Sequence, residues 1–306
     1  MIMIKDRFFL LAATFFWGCA FVAQRVSTDT IGAFAFNGIR FWIGALSIVP
    51  VVWWVSRKKV PDFDAPPSFL SLPAACAILG FILFAGASLQ QIGMFYTTAG
   101  KAGFITALYI VVVPILGLFL HNPLRLSHIM GCLTAVAGLY LLAFHSDGQP
   151  LNIGDLLELA GVIFWALHIL IVDRFVRYYR GVYLALGQFI FCGIYNFLSM
   201  PLAGETLTWA AVLASAIPIL YCGIFSSGVG YTLQIVGQEH VPPTEASLLL
   251  SCEMIFSALA GFFILGESMT LRELSGCILM SIGIFAAQIP SRIVFNPGRN
   301  ETSPDR

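Results

Sequence analysis

Apolar segments too long for a soluble core run through this chain, and they are written twice. Gly131-Cys132 and Gly138, inside the run 129–143, return as Gly276-Cys277 and Gly283 inside the run 274–287, at an offset of 145. Gln90 and Gly93 return as Gln234 and Gly237 at an offset of 144, and Phe16-Trp17 returns as Phe164-Trp165 at 148. Three matches at nearly one offset place a second half about 145 residues behind the first. In membranes, such half-repeats are a transporter design, with the substrate site between the halves.

Composition supports the membrane reading. Hydrophobic residues make up 58% of the chain and charged residues 10%, with a mean hydropathy of +0.88. Soluble domains carry roughly 25% charged residues, so an ordinary soluble fold is excluded. The formal net charge is zero, which points to no nucleic acid or acidic partner. Lys5 and Arg7 precede an apolar run that ends in Gln24-Arg25 without a small-residue cleavage site, so no cleavable signal peptide is read. Seven cysteines form no CxxC pair and lie mostly in apolar runs, as packing residues do. No metal and no cofactor are expected.

A bilayer core takes about 20 apolar residues per helix. Ten candidates follow, at 8–24, 31–55, 70–96, 99–119, 126–145, 154–173, 181–200, 208–236, 243–264 and 271–289. Pro61, Pro66, Pro67, Pro123, Pro150 and Pro242-Pro243 separate several of them. With the N-terminus in the cytoplasm, twelve Lys and Arg fall on the cytoplasmic side and three (Arg25, Lys101, Arg272) on the other. The positive-inside rule therefore puts both termini in the cytoplasm. Five helices per half is an odd number, so the halves run in opposite directions. The expected fold is an all-α membrane protein of ten transmembrane helices in two inverted five-helix repeats. The repeats occupy 8–145 and 154–289, and a polar cytoplasmic tail occupies 290–306. The expected location is the plasma membrane.

Polar groups inside such spans are costly and often mark a pathway. Arg40 reads either as an anchor for an anionic group or as a structural arginine. Glu253, with no basic neighbour in sequence, suits either proton coupling or a helix-packing hydrogen bond. His168, beside Trp165, is a second proton-coupling candidate or a neutral packing histidine. Gln90 and Gln234 recur at matched depths and could line a cavity from both sides or bond between helices. Trp17, Trp165, Tyr109, Tyr183 and Tyr231 could line it with rings, or face lipid or the core. Lys101 and Glu245 are 144 residues apart, opposite in charge and at opposite faces, as gate residues would be, although helix-end charges are also commonly solvated. Gly131/Gly138 and Gly276/Gly283 suit close packing on a neighbouring helix, within the chain or across a homodimer.

Enzyme signatures are absent: there is no HExxH, no GxxxxGK[ST] and no GxSxG, and His168-x4-Asp173 lies within one continuous apolar span.

The Phe16-Trp17 pair, the stretch Tyr96-Thr97-Thr98-Ala99-Gly100-Lys101-Ala102-Gly103-Phe104 leading to Tyr109 and Pro114, and the closing Leu265-Gly266-Glu267 resemble the drug/metabolite transporter superfamily, specifically its EamA-type members. The resemblance covers about residues 8–289. The first half carries His121-Asn122 where the second carries Gly266-Glu267, so that carboxylate is not duplicated. The resemblance implies a ten-helix secondary transporter with a central cavity. Family cargoes include amino acids, other small metabolites, nucleotide sugars and drug-like cations. The four-span cationic-drug subgroup uses a glutamate in its first span. None lies between Arg7 and Arg25 here, so that mechanism does not transfer.

The expected function is transport, by export, of a small polar or amphipathic metabolite, with an amino acid as one fitting class. The lipid bilayer and the small-molecule cargo are the partners. A passive facilitator and a lipid scramblase or flippase are the competing readings.

Overall fold

A computed structural model describes residues 2–58, 63–67, 70–120, 124–143, 152–265, 271–287 and 294–295. Gly266, Glu267, His121, Asn122 and the tail beyond Phe295 lie outside them. In chain order come α1 (Ile2–Ser27), α2 (Ala33–Ser56), α3 (Leu72–Gly93), α4 (Ala99–Thr106), α5 (Tyr109–Phe119), β1 (Leu124–Arg125), α6 (Leu126–Ala143), α7 (Ile153–Phe175) and α8 (Gly181–Leu202). Then follow α9 (Trp209–Ala214), α10 (Ala216–Leu220), a π-helical segment (Tyr221–Tyr231), α11 (Thr232–Gly237), α12 (Pro243–Leu250), α13 (Glu253–Leu265), α14 (Leu271–Ala287) and β2 (Val294–Phe295).

Eight helical stretches among the described residues are long and apolar enough to cross a membrane, and 126–138 and 274–283 are shorter apolar helices. The surface is inverted relative to a soluble protein. Leu202, Phe119, Phe285 and Trp209 are largely exposed, while Arg40, Asn37, Gln188, Asn196 and Glu158 are buried. Polar groups turned inward and large apolar groups turned outward are what a hydrocarbon solvent selects.

Local sequence sets the helix ends. Ser71 accepts from the Ala74 amide with Pro73 in the first turn, and Thr98 accepts from the Lys101 amide. Asn152 and Asp155 form a reciprocal capping box at α7, each side chain accepting the other's backbone N–H (3.0 and 2.9 Å). Beyond the spans, Glu239 accepts from the Gly181 amide at the start of α8 (3.0 Å).

Two spans break midway. Residues 107–108 separate α4 from α5, and residues 251–252 separate α12 from α13. The stretch 208–236, read from sequence as one span, is also subdivided. Thr208 caps α9, the chain turns at Ser215, and only from Ala216 does a membrane-length helical run begin. Within that run, Tyr221–Tyr231 is π-helical.

Packing pairs α2 with α8, α3 with α7 and α8, α6 with α14, and α1 with α13 and the π-helical segment. Helix polarity defines two ends of the bundle. At the first end, where α1 finishes, Gln91 donates to the Gln24 carbonyl and the Ser27 hydroxyl (3.2 Å each). At the second, where α1 starts, Arg180 donates to the Lys58 carbonyl (3.0 Å) and the Asp64 amide to the Arg177 carbonyl (3.1 Å). β1 and β2 pair antiparallel, joining Leu124 to Phe295 and Arg125 to Val294.

Glycine permits the tightest crossings. A Cβ on Gly283 would stand 2.7 Å from the Gly131 carbonyl oxygen and from the Ala135 amide nitrogen, so this seam is filled by α6 of the same chain. A Cβ on Gly18 would stand 2.6 Å from the Glu253 carbonyl oxygen, against backbone that cannot swing aside. Gly18→Val should therefore push α1 from α13 and cost about 1–3 kcal/mol. Gly100→Ala, with no atom within 4 Å of the added carbon, should be neutral or gain up to ~1 kcal/mol. Thermal unfolding of the purified proteins in detergent compares them, and equal loss in both would contradict this packing.

Candidate functional site

Between the two ends lies a cavity of about 480 Å³, counting space continuous with its mouth. Its position follows from the broken spans. Tyr109 is the first residue of α5 and Glu253 the first of α13, so each break delivers a polar side chain to mid-depth. The Tyr109 hydroxyl donates to Glu253 Oε1 at 2.9 Å.

The structure brings Trp17, Arg40, Gln90, Tyr109, Trp165, Gln234, Glu253 and His168 to the wall of this one cavity. Tyr231 is its aromatic hub, with ring centroids 4.7 Å from Trp17, 6.3 Å from Trp165 and 6.0 Å from His168. Trp17 Nε1 donates to the Ser226 carbonyl of the π-helical segment at 3.1 Å. That segment has no counterpart in α3, and π-helical turns recur at functional sites. Its sequence mark is Gly223, Ser226-Ser227, Gly228 and Gly230 within apolar text, a signal of close backbone approach that sequence reading passed over.

Arg40 is 1% exposed. Its Nε donates to Asn37 Oδ1 (2.8 Å), and Asn37 is held in turn by the Ala87 carbonyl (3.0 Å). The guanidinium carbon lies 4.6 Å from the Phe41 ring centroid. No acidic group pairs with it among the described residues, and its Nη2 has no hydrogen-bond partner. Trp165 Nε1 and Gln234 Oε1 are likewise unpartnered at the cavity. The unused donors, Arg40 Nη2 and Trp165 Nε1, suit an anionic or strongly accepting ligand group, and the unused Gln234 oxygen suits a donor.

His168 pairs with the Gln188 carboxamide oxygen through Nε2 (2.8 Å), and its Nδ1 lies 3.5 Å from Gln234 Nε2. On the other side, Gln90 donates to Thr106 (3.1 Å), whose hydroxyl donates to Glu158 (3.3 Å).

Lys101 and Glu245 do not reach the cavity. Each closes an ion pair at an end of the bundle. Lys101 Nζ meets Asp155 Oδ2 at the first end, with Thr97 donating to the other carboxylate oxygen (2.7 Å). Arg7 Nε meets Glu245 Oε1 at the second. Arg7 precedes Trp17 by ten residues and Asp155 precedes Trp165 by ten, about 15 Å of helix in each case. The partners Arg7 and Asp155 and the buried acid Glu158 were not singled out from sequence. The available signal was an Asp155-x-x-Glu158 pair placing a carboxylate inside an apolar span.

The model of a family described as "EamA-like transporter family" matches residues 7–144 and again 152–287. An "Uncharacterized transporter" of Archaeoglobus fulgidus is 28% identical, covering 89% of this chain and 82% of that protein. The "Uncharacterized transporter YoaV" of Bacillus subtilis is 22% identical over 92% and 96%, and a WAT1-related chloroplastic protein of Arabidopsis thaliana is 25% identical over 92% and 69%. A solved structure titled "Crystal structure of protein" superposes with a TM-score of 0.75 at 18% identity, covering 92% of this chain and 96% of that one.

An unpaired buried cation kept for a ligand costs stability. Arg40→Met should unfold at or above the wild-type temperature, a gain of roughly 0–4 kcal/mol. A fall of several degrees in a thermal scan would make Arg40 a structural residue instead.

Proposed function

The chain belongs to the EamA-like transporter family, and from that premise we propose that it is an alternating-access secondary transporter that exports a small polar or amphipathic metabolite across the plasma membrane. The carrying observation is one cavity, lined by paired polar residues, standing between two ion-paired ends.

The inverted arrangement of ten spans is part of this proposal. It is supported by relations at matched offsets. Tyr109 and Glu253 are 144 residues apart, as are Gln90 and Gln234, and Lys101 and Glu245. Arg7 and Asp155 are 148 apart, as are Trp17 and Trp165. The helix pairings keep their pattern when the halves are exchanged: α3 with α7 corresponds to the run 216–237 with α1, and α2 with α8 to itself. Both termini are placed in the cytoplasm. This agrees with the basic second end, where Arg57 and Lys58 stack on Trp53 and Trp54 as interfacial anchors do.

In this reading Arg40 binds an anionic group of the cargo, and Glu253 takes an ammonium group or a proton, which together fit a zwitterion such as an amino acid. Gln90, Gln234 and Tyr109 supply hydrogen bonds, and Trp17 and Trp165 shape the walls. His168 is the second proton-coupling candidate. The pairs Lys101–Asp155 and Arg7–Glu245 are the gates, one broken at a time.

Metabolite profiling of the medium tests export. Cells producing the wild type should enrich a few compounds that cells with equal amounts of Glu253→Ala do not. No enrichment would favour import or lipid movement. With the cargo known, Lys101→Glu should cut efflux about tenfold, equivalent to ~1.4 kcal/mol, and adding Asp155→Lys should restore much of it. No restoration would remove this pair from gating.

A further inference from the structure

Glu158 has no part in the function described so far, yet it is the more deeply buried of the two carboxylates connected to the cavity: 0% exposed, against 4% for Glu253. One oxygen, Oε2, accepts from Thr106 (3.3 Å), and the other, Oε1, has no partner. Oε1 lies close against Gly93, where a Cβ would stand 3.1 Å from it. No cation pairs with Glu158 among the described residues. A lone carboxylate so enclosed is costly as an anion, and nothing in packing requires an acid there.

Its surroundings connect it both ways. Asp155 stands one helical turn away on α7, held by Lys101 at the first end. Toward the cavity, Thr106 links it to Gln90. Other elements packed on α7 offer few titratable groups. Lys101 is the one on α4, Tyr109 the one on α5 and bound to Glu253 of α13, and Glu245 the one on α12, engaged by Arg7 at the opposite end. α3 carries only Cys76, near its far terminus.

The second half lacks this arrangement. At the offsets that relate the halves, Gln90 corresponds to Gln234, but Thr106 corresponds to Leu250 and Glu158 to Leu10, both 0% exposed. A polar string thus leads from the cavity toward one end, and apolar side chains occupy the same places toward the other.

We propose that Glu158 is a proton-binding site, loaded from the end closed by Lys101 and Asp155, whose charge state is read in the cavity through Thr106 and Gln90. The inference rests on the transporter reading above. When the Lys101–Asp155 pair parts, water reaches Glu158 and a proton adds at Oε1, forming one O–H bond at the expense of hydronium. The carboxyl is then neutral, and the Thr106 hydroxyl no longer has an anion to donate to. Its bond to the remaining carbonyl oxygen is weaker, the bond it accepts from Gln90 weakens with it, and Gln90 can turn its amide toward the cargo. Loss of the proton reverses this. The amide neither gains nor loses a proton in this range, so the string transmits the state of the acid and does not conduct.

The test begins with the wild-type full chain in lipid nanodiscs, using N,N′-dicyclohexylcarbodiimide, an apolar electrophile to which a protonated carboxyl adds through its oxygen while its proton passes to the carbodiimide nitrogen. Peptide mass spectrometry then locates the adduct. Labelling at Glu158 should fall about tenfold for each pH unit above its midpoint. Absence of label at every pH, or equal label throughout, would overturn the site, and neither depends on transport. In the second arm, Glu158→Gln vesicles should retain cargo exchange at wild-type rate and lose the acceleration that a pH gradient gives. Gradient-driven movement unchanged in that variant would overturn the coupling role. Should Glu158→Gln fail to fold, Thr106→Val keeps the acid and cuts the string, and the same loss of gradient dependence is expected. Labelling that titrates in a protein with no transport of any cargo would sustain the proton site and defeat the transporter reading alone.

Discussion

The hydrogen bond from Tyr109 to Glu253 is the contact around which the interior is arranged. It joins the two places where a span is interrupted, and an interruption at membrane depth is tolerated only where the freed backbone lines a cavity or is buried in protein. Each break yields a new helix start, and an acidic group in the first turn of α13 lies where the helix dipole favours negative charge. Moving either break by one residue would rotate the partner side chain by about 100° around its helix and leave a polar group facing packed apolar neighbours. The aromatic hub at Tyr231, the Asn37-held guanidinium of Arg40 and the amide pair Gln90 and Gln234 are all arranged around this joint.

The scaffold repeats while the chemistry does not. Related positions carry Lys101 and Glu245, Arg7 and Asp155, Tyr109 and Glu253, Thr106 and Leu250, Glu158 and Leu10. An inverted pair of identical halves would offer a cargo the same surroundings from either side. Unlike residues at like positions make the two sides of the proposed inverted pair chemically different in charge and hydrogen bonding. The π-helical segment adds to this. It places Ser226 and Gly230 against Trp17, where the related stretch of α3 is an ordinary α-helix.

Much of this was legible in the residues. Apolar run lengths gave the membrane class, and polar residues at improbable depth gave most of the cavity wall, because hydrocarbon tolerates few of them without a purpose. What escaped reading has physical causes. The midspan breaks at 107–108 and 251–252 occur without proline or glycine at the break itself, so no local propensity announces them. The partners of Lys101 and Glu245 lie in the other half, and pairing across 54 and 238 residues is a property of packing. Glu158 sits close enough to a span end to pass as interfacial until its 0% exposure is seen. The glycine seam of α6 and α14 had two available partners, and the chain closes it upon itself.

The ion pairs at the two ends have an electrical consequence. Each combines one cation with one anion at the same level of the bundle, so drawing the members apart sideways displaces no net charge along the membrane normal. Carrying a single charge through the whole field would be worth about 2.3 kcal/mol per 100 mV, and neither pair presents such a charge. Were these pairs the proposed gates, the transmembrane voltage would do little work on opening either of them. Its leverage would fall instead on charges at mid-depth, that of Arg40 and those of the proposed cargo and protons.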